Sequence, residues 1–357
     1  MTLALLKGRL AVRASTFPKA LATLTGLLIF ANVGAWIWAL AVFRDQPVLL
    51  ATALLAYGFG VRHAFDADHI AAIDNVTRKL MQEGQRPLAV GLFFSLGHST
   101  VVVLAVIALA NSAIMLSAHP EGLVRAGGIL GTIISALFLF AIAFANLQAL
   151  RTIWRHLKSV RKGTAVNVCL APVAGGLLSR IFGQIFRLVR GSWQMYPLGF
   201  LFALGFDTAT EVALLGISAA QTAKGVSIWS ILTFPALFAA GMSLVDTANG
   251  MLMLGAYNWA FPKLIRTLYY NLAITLISIV VAFAIGCIQI LELTGDRLAL
   301  SGGLWDALGV LTENFDVLGL LIVGLFSVVW VGSVVIHRYL GADDVDAVRI
   351  ENGPSPR

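Results

Sequence analysis

Charge is what this sequence has least of. Only 12% of its 357 residues are Asp, Glu, Lys or Arg, about half the share of a soluble globular chain. A mean hydropathy of +0.87, with apolar runs of at least about 18 residues recurring throughout, excludes an ordinary soluble enzyme and describes a polytopic membrane protein. Cysteine is nearly absent. Cys169 and Cys287 lie far apart, so no disulfide framework is implied. No phosphate-binding G-x4-G-K-[ST] occurs, because "RKGTA" lacks the spacing, so the chain hydrolyses no ATP by itself. The opening "MTLALLKGRLAVRASTFPKA" has no clean apolar stretch with a small-residue cleavage site. It reads as a retained cytoplasmic tail over about 1–20, not a signal peptide. The net charge of +7 gathers in a few connections, which points to membrane orientation and away from nucleic acid.

What is there is a series of apolar segments. Eight spans are expected, at about 21–43, 48–74, 87–110, 123–149, 195–220, 226–255, 266–291 and 316–338. Positive residues mark alternate connections: Lys7, Arg9, Arg13 and Lys19 in the tail, Arg78, Lys79 and Arg86 after the second span, Lys263 and Arg266 after the sixth. The long connection 150–194 carries Arg151, Arg155, Lys158, Arg161, Lys162, Arg180, Arg187 and Arg190, and no acidic residue. The opposite connections are poor in Lys and Arg, and one is acidic, with Glu292, Asp296, Asp306, Glu313 and Asp316. Both termini are therefore expected in the cytoplasm, with 339–357 a second tail, and an even number of spans follows. The expectation is one all-α transmembrane domain over 1–357. Within the long connection, "GGLLSRIFGQIFRLVRGSW" sets Leu177, Ile181, Phe182 and Ile185 against Arg180, Gln184 and Arg187, the pattern of a helix lying in the membrane interface. The segments "GLFFSLGHST" (91–100) and "GFLFALGFDT" (199–208) share a G-x-x-F-x-L-G frame.

Ionisable groups at membrane depth are costly and mark pathways or sites. Four clusters stand out. The second span ends in His63, Asp66, Asp68, His69 and Asp74; the third contains His98; the fifth contains Asp207 and Glu211; the sixth contains Asp246, with Asn249 three residues on. Imidazole with carboxylate and no thiolate suits Ni, Co, Zn or Fe better than copper(I), and better than Mg or Ca. On a straight helix at 100° per residue, His63, Asp66, His69 and Asp74 share a face spanning about 140°, and Asp68 falls on the other side. Gly58 and Gly60 just upstream make a distorted helix easier. Asp74 lies at the expected cytoplasmic edge, where it caps the helix or pairs with Arg78. Asp207, Glu211 and Asp246 balance charge along a path or partner one another or Arg62.

These segments resemble the nickel/cobalt transporter family. "RHAFDADHIAAIDNVTRKL" is similar to its second-helix signature, whose core His-x4-Asp-His falls here on His63, Asp68 and His69. "LFFSLGHSTVV", "LGFDTATE" and "FAAGMSLVDTANG" resemble its third-, fifth- and sixth-helix motifs, in order, over about residues 58–260. The resemblance implies a high-affinity permease for divalent nickel or cobalt in the cell inner membrane. It implies that His63, Asp68 and His69 are required and that the region around His98 contributes to metal choice. Many members have a second Asp where this chain has Asn249. Neither cofactor nor ATPase subunit is expected. The competing readings are a permease for Zn, Fe or Mn, a membrane-embedded metalloenzyme, for which one sparse histidine cluster is too few, and a sensor or the membrane subunit of a larger importer.

Overall fold

The computed structural model describes residues 2–111, 121–161, 189–205, 208–260 and 264–339, and among these all regular structure is helical. Helix α1 spans Thr2–Phe43, so the segment expected as a tail is helical from Thr2. It is followed by α2 (Pro47–His63), α3 (Ala67–Gln82), α4 (Val90–Asn111) and α5 (Glu121–Arg161). Then come α6 (Met195–Phe202), α7 (Ala209–Ala223), a single turn α8 (Ile228–Ile231), α9 (Thr233–Ala260), α10 (Leu264–Leu298), α11 (Leu304–Glu313) and α12 (Phe315–Tyr339). The short α11 was not expected from the sequence. The interfacial helix expected in 177–190 falls almost wholly outside the described residues, as does Asp207.

Among the described residues, six stretches are long and apolar enough to cross a membrane, and the α2–α3 pair, bent by 53° at its break, makes a seventh if taken as one span. The expected fifth span is interrupted instead, as α6, a 3-10 turn over Ala203–Gly205, and α7. The peripheral spans Phe17–Phe43 and Phe315–Val335 are only 17% buried, whereas Ile228–Ala256 is 56% buried. Apolar side chains left outward on such helices are solvated by lipid. The central packing sets α5 along α10, α2 and α4 along α9, and α6 along α4.

Helix α3 differs from all of these. It holds Asp68, His69, Asp74, Asn75, Thr77, Arg78 and Lys79 among its 16 residues, yet nearly all of it is buried. Two sequence expectations change here. The second span does not end near residue 74 but continues to Gln82. Arg78 and Lys79 are buried in α3, not placed on a connection, so they leave the orientation count.

The α2–α3 break has a local cause. The chain tightens after His63 through i to i−3 hydrogen bonds, Phe65 N to Arg62 O (3.0 Å) and Asp66 N to His63 O (2.9 Å). Asp66 then turns extended (φ −58, ψ 139) and α3 starts afresh. Of the upstream glycines expected to ease a distortion, Gly60 serves close approach instead: a Cβ there would lie 2.0 Å from Phe238 O on α9. At Gly319 of α12 a Cβ would lie 1.7 Å from Phe65 O, so α12 seats directly on the break. The repeated glycine frame also has a physical meaning. Gly97 meets the backbone of Tyr196, and Gly199 meets that of Phe94; the two echoing segments pack on each other through their shared glycines.

Candidate metal site

Three histidines from three helices meet beside the break. His63 ends α2, His69 lies in the first turn of α3, and His98 sits within α4. One ring nitrogen from each can be chosen so that all lie within 4.8 Å of one another, and all three rings are buried. His63 and His98 approach Nε2 to Nε2 at 2.9 Å. His98 Nε2 is also 2.8 Å from Glu211 Oε1, which lies 4.0 Å from His63 Nε2. Two imidazole nitrogens this close share one proton, or give both lone pairs to one cation. Two ligands at right angles on one ion, with bonds of about 2.0–2.1 Å, stand about 2.9 Å apart. A cation taking these donors displaces the shared proton.

The surrounding groups orient these rings. Asp66 Oδ2 lies 2.6 Å from His63 Nδ1, and the hydroxyls of Thr208 (3.3 Å) and Thr210 (3.2 Å) face the same nitrogen. With its proton held on Nδ1, His63 presents Nε2 as the donor. Thr208 also donates to Glu211 Oε2 at 3.0 Å, leaving Oε1 toward the histidines. Aromatic rings close the sides, Phe94 edge-on to His69 (4.7 Å between centroids) and Phe238 against His63 (5.5 Å). Among the described residues His69 has no hydrogen bond at either ring nitrogen; Asp246 Oδ2 lies 3.4 Å from its Nδ1.

The structure sorts the remaining sequence candidates. Asp66 stands behind His63 rather than among the ring nitrogens facing each other. Asp68 is held by hydrogen bonds: Oδ1 accepts from His69 N (2.9 Å) and Oδ2 from Gln289 Nε2 (3.2 Å). Asp74 is neither a helix-end residue nor at the site. It is fully buried in mid-α3 and accepts from Ser278 Oγ at 3.1 Å. Glu211, expected only to balance charge, touches His98. Arg62 pairs with Asp316 at the start of α12, with Nε to Oδ2 at 2.8 Å. Sequence reasoning singled out none of Thr208, Thr210, Phe94 or Gln289. The first had a signal in the i, i+3 spacing of Thr208 and Glu211 within "DTATE".

A profile of the NicO family, described as high-affinity nickel-transport protein, matches residues 49–336. The chain belongs to this family. It is 56% identical over 324 residues to a high-affinity nickel transport protein of Cupriavidus necator, covering 90% of this chain and 92% of that one. It is 41% identical over 303 residues to the high-affinity nickel-transport protein NixA of Helicobacter pylori, covering 83% and 90%. It is 39% identical over 295 residues to the cobalt transport protein NhlF of Rhodococcus rhodochrous, covering 81% and 83%. No solved structure matches the chain. Membership places it among multi-pass metal-ion transporters, not enzymes.

Proposed function

We propose that the chain takes up divalent nickel, cobalt or both, with high affinity, across the cell inner membrane. The observation that carries this reading is the buried meeting of His63, His69 and His98 beside a helix break. Imidazole with one carboxylate, Glu211, is a donor set suited to borderline divalent ions. A polar cluster between broken helices at membrane depth is also a recurring transporter arrangement. The relatives named for nickel and for cobalt support the same class of cargo.

In this reading the ion is a passing substrate and no resident cofactor is needed. His63, His69 and His98 bind it, Glu211 adds charge, and Asp66 with Thr208 and Thr210 sets the His63 tautomer. Asp68 braces the start of α3 against α10, and Asp207, Asp246 and Asn249 belong to the path. Counting the interrupted segment 195–223 as a crossing, beside the six apolar spans and the bent pair, gives eight with both termini in the cytoplasm. The basic tail and the loop 150–194 support that orientation without Arg78 and Lys79. The membrane potential supplies the drive without an ATPase subunit, because a dication moving inward gains about 4.6 kcal/mol per 100 mV at about 2.3 per charge.

The test is accumulation of radioactive nickel, with cobalt as competitor, in cells expressing the chain or its His63→Ile variant at matched levels in the membrane. Uptake by the parent and background counts for the variant are expected. Near-normal accumulation by the variant refutes the site.

A further inference from the structure

Beyond the histidines, α3 and α9 carry buried polar groups that lack hydrogen-bond partners among the described residues. The two helices run in one register there. His69 faces Asp246, and one turn on, a Cβ at Gly250 would stand 3.5 Å from Ile73 Cγ2. Among the described residues, both carboxylate oxygens of Asp246 and, three residues on along α9, both amide atoms of Asn249 lack a hydrogen-bond partner, as does the hydroxyl of Thr77 on α3. Asp246 and Thr77 are fully buried and Asn249 is 6% exposed. Ser95 lies beside the Asp246 carboxylate, but its hydroxyl is given to Gly91 O at 2.6 Å. A buried polar group without a partner destabilises a fold by about 1–3 kcal/mol, more if charged. Several on two packed helices therefore require a reason.

His69 connects the seam between these helices to the histidine cluster. Its ring is buried, and neither nitrogen has a hydrogen-bond partner among the described residues. The ring stands 4.6 Å from that of His63 and 4.8 Å from that of His98, while Nδ1 faces Asp246. An imidazole so placed can give one nitrogen to the cluster and the other to the seam.

We propose that Asp246 and Asn249 form a second position for the divalent cation, reached from the histidine cluster by way of His69. The proposal rests on the reading of those histidines as the ion's first position. The second position exchanges nitrogen donors for the carboxylate and amide oxygens, with His69 common to both. Oxygen donors hold a borderline divalent ion less tightly than imidazole does, so the step loosens the ion and moves it toward the Gln82 end of α3. Electrostatic repulsion between two dications sharing one ligand keeps the positions from filling together.

Binding and transport separate under this proposal. The full-length chain, purified in lipid nanodiscs, is titrated with Co²⁺ while its visible ligand-field absorption is followed, and the same preparations are reconstituted for ⁶³Ni²⁺ uptake. Asp246→Asn and Asn249→Ala are expected to keep Co²⁺ affinity and spectrum close to the parent and to lose uptake by about tenfold or more. His63→Ala is expected to lose both. Asn249→Asp, which adds a charge at the second position, is expected to lower both KM and the maximal uptake rate. Equal loss of Co²⁺ binding and uptake in Asp246→Asn would make Asp246 a ligand of the first position and overturn the proposal. Unchanged uptake in both Asp246→Asn and Asn249→Ala would make the seam mere packing and overturn it as well. Normal Co²⁺ binding by His63→Ala would instead remove the first position, a separate failure.

Discussion

Helix α3 presents two polar faces to the protein interior, and they are finished differently. Toward α5 and α10 its polar groups are paired. Asn75 Oδ1 accepts from Arg78 Nη2 (2.9 Å) and from Asn146 Nδ2 (2.5 Å), Arg78 donates on to Thr275 (3.0 Å), and Asp74 accepts from Ser278. At the upper end Gln289 links Asp68 to Ser135, donating to Asp68 Oδ2 (3.2 Å) and Ser135 Oγ (3.0 Å). Toward α9 the chemistry stands open: His69 faces Asp246 of α9, and the side chains of His69, Asp246, Asn249 and Thr77 lack hydrogen-bond partners among the described residues. Both faces are buried, so solvent exposure does not explain the contrast. A satisfied buried network rigidifies a fold, and an unsatisfied one is tolerated where a ligand completes it. The helix is thus anchored on one side and chemically available on the other.

Substitutions on the two faces should separate transport from stability. The largest effect is expected from His69→Leu on the open face. Nickel uptake falls to background while the melting temperature is kept or rises, since a buried group without partners is replaced by an apolar one. The same variant should lose ligand stabilisation: nickel at a hundredfold excess over Kd stabilises the parent by about 2.7 kcal/mol and the variant by none. Thermal denaturation with and without Ni²⁺ checks both, and a sharply destabilised variant breaks the comparison. On the anchored face, Asn75→Ala strands Arg78 and Asn146. A loss of about 1–3 kcal/mol is expected, with uptake per folded molecule retained, read as a melting shift beside uptake normalised to folded protein. The smallest effect is expected at Gln289→Leu, because Asp68 keeps its bond from His69 N. A loss near 1 kcal/mol with KM for nickel unchanged would sharpen the assignment of Asp68 as a brace. A large rise in KM would move Asp68 toward the ion.

The histidines were legible because a chain this poor in charge places polar side chains at membrane depth only with cause. His63, His69 and His98 could be named from residue type and motif alone. Asp74 was misplaced because the second span was taken to end where its hydropathy fell. Helix α3 continues through polar residues that α5 and α10 satisfy, and no hydropathy count registers partners distant in sequence. Glu211 was underestimated for a related reason: its nearness to His98 arises from packing between α4 and α7, more than 100 positions apart.

By itself, then, the sequence determined the membrane environment, the all-helical class, the family and the residue types able to hold a divalent ion. Hydropathy and the chemistry of imidazole and carboxylate are local properties that a linear string carries. Tertiary structure alone decided which of those residues meet. The break after His63 brings His63 and His69 to one point while Gln289 of α10 holds Asp68, and α12 seats on that break through Gly319. Partners from α5, α9 and α10 then decide which buried polar atoms are satisfied and which remain open to a cation.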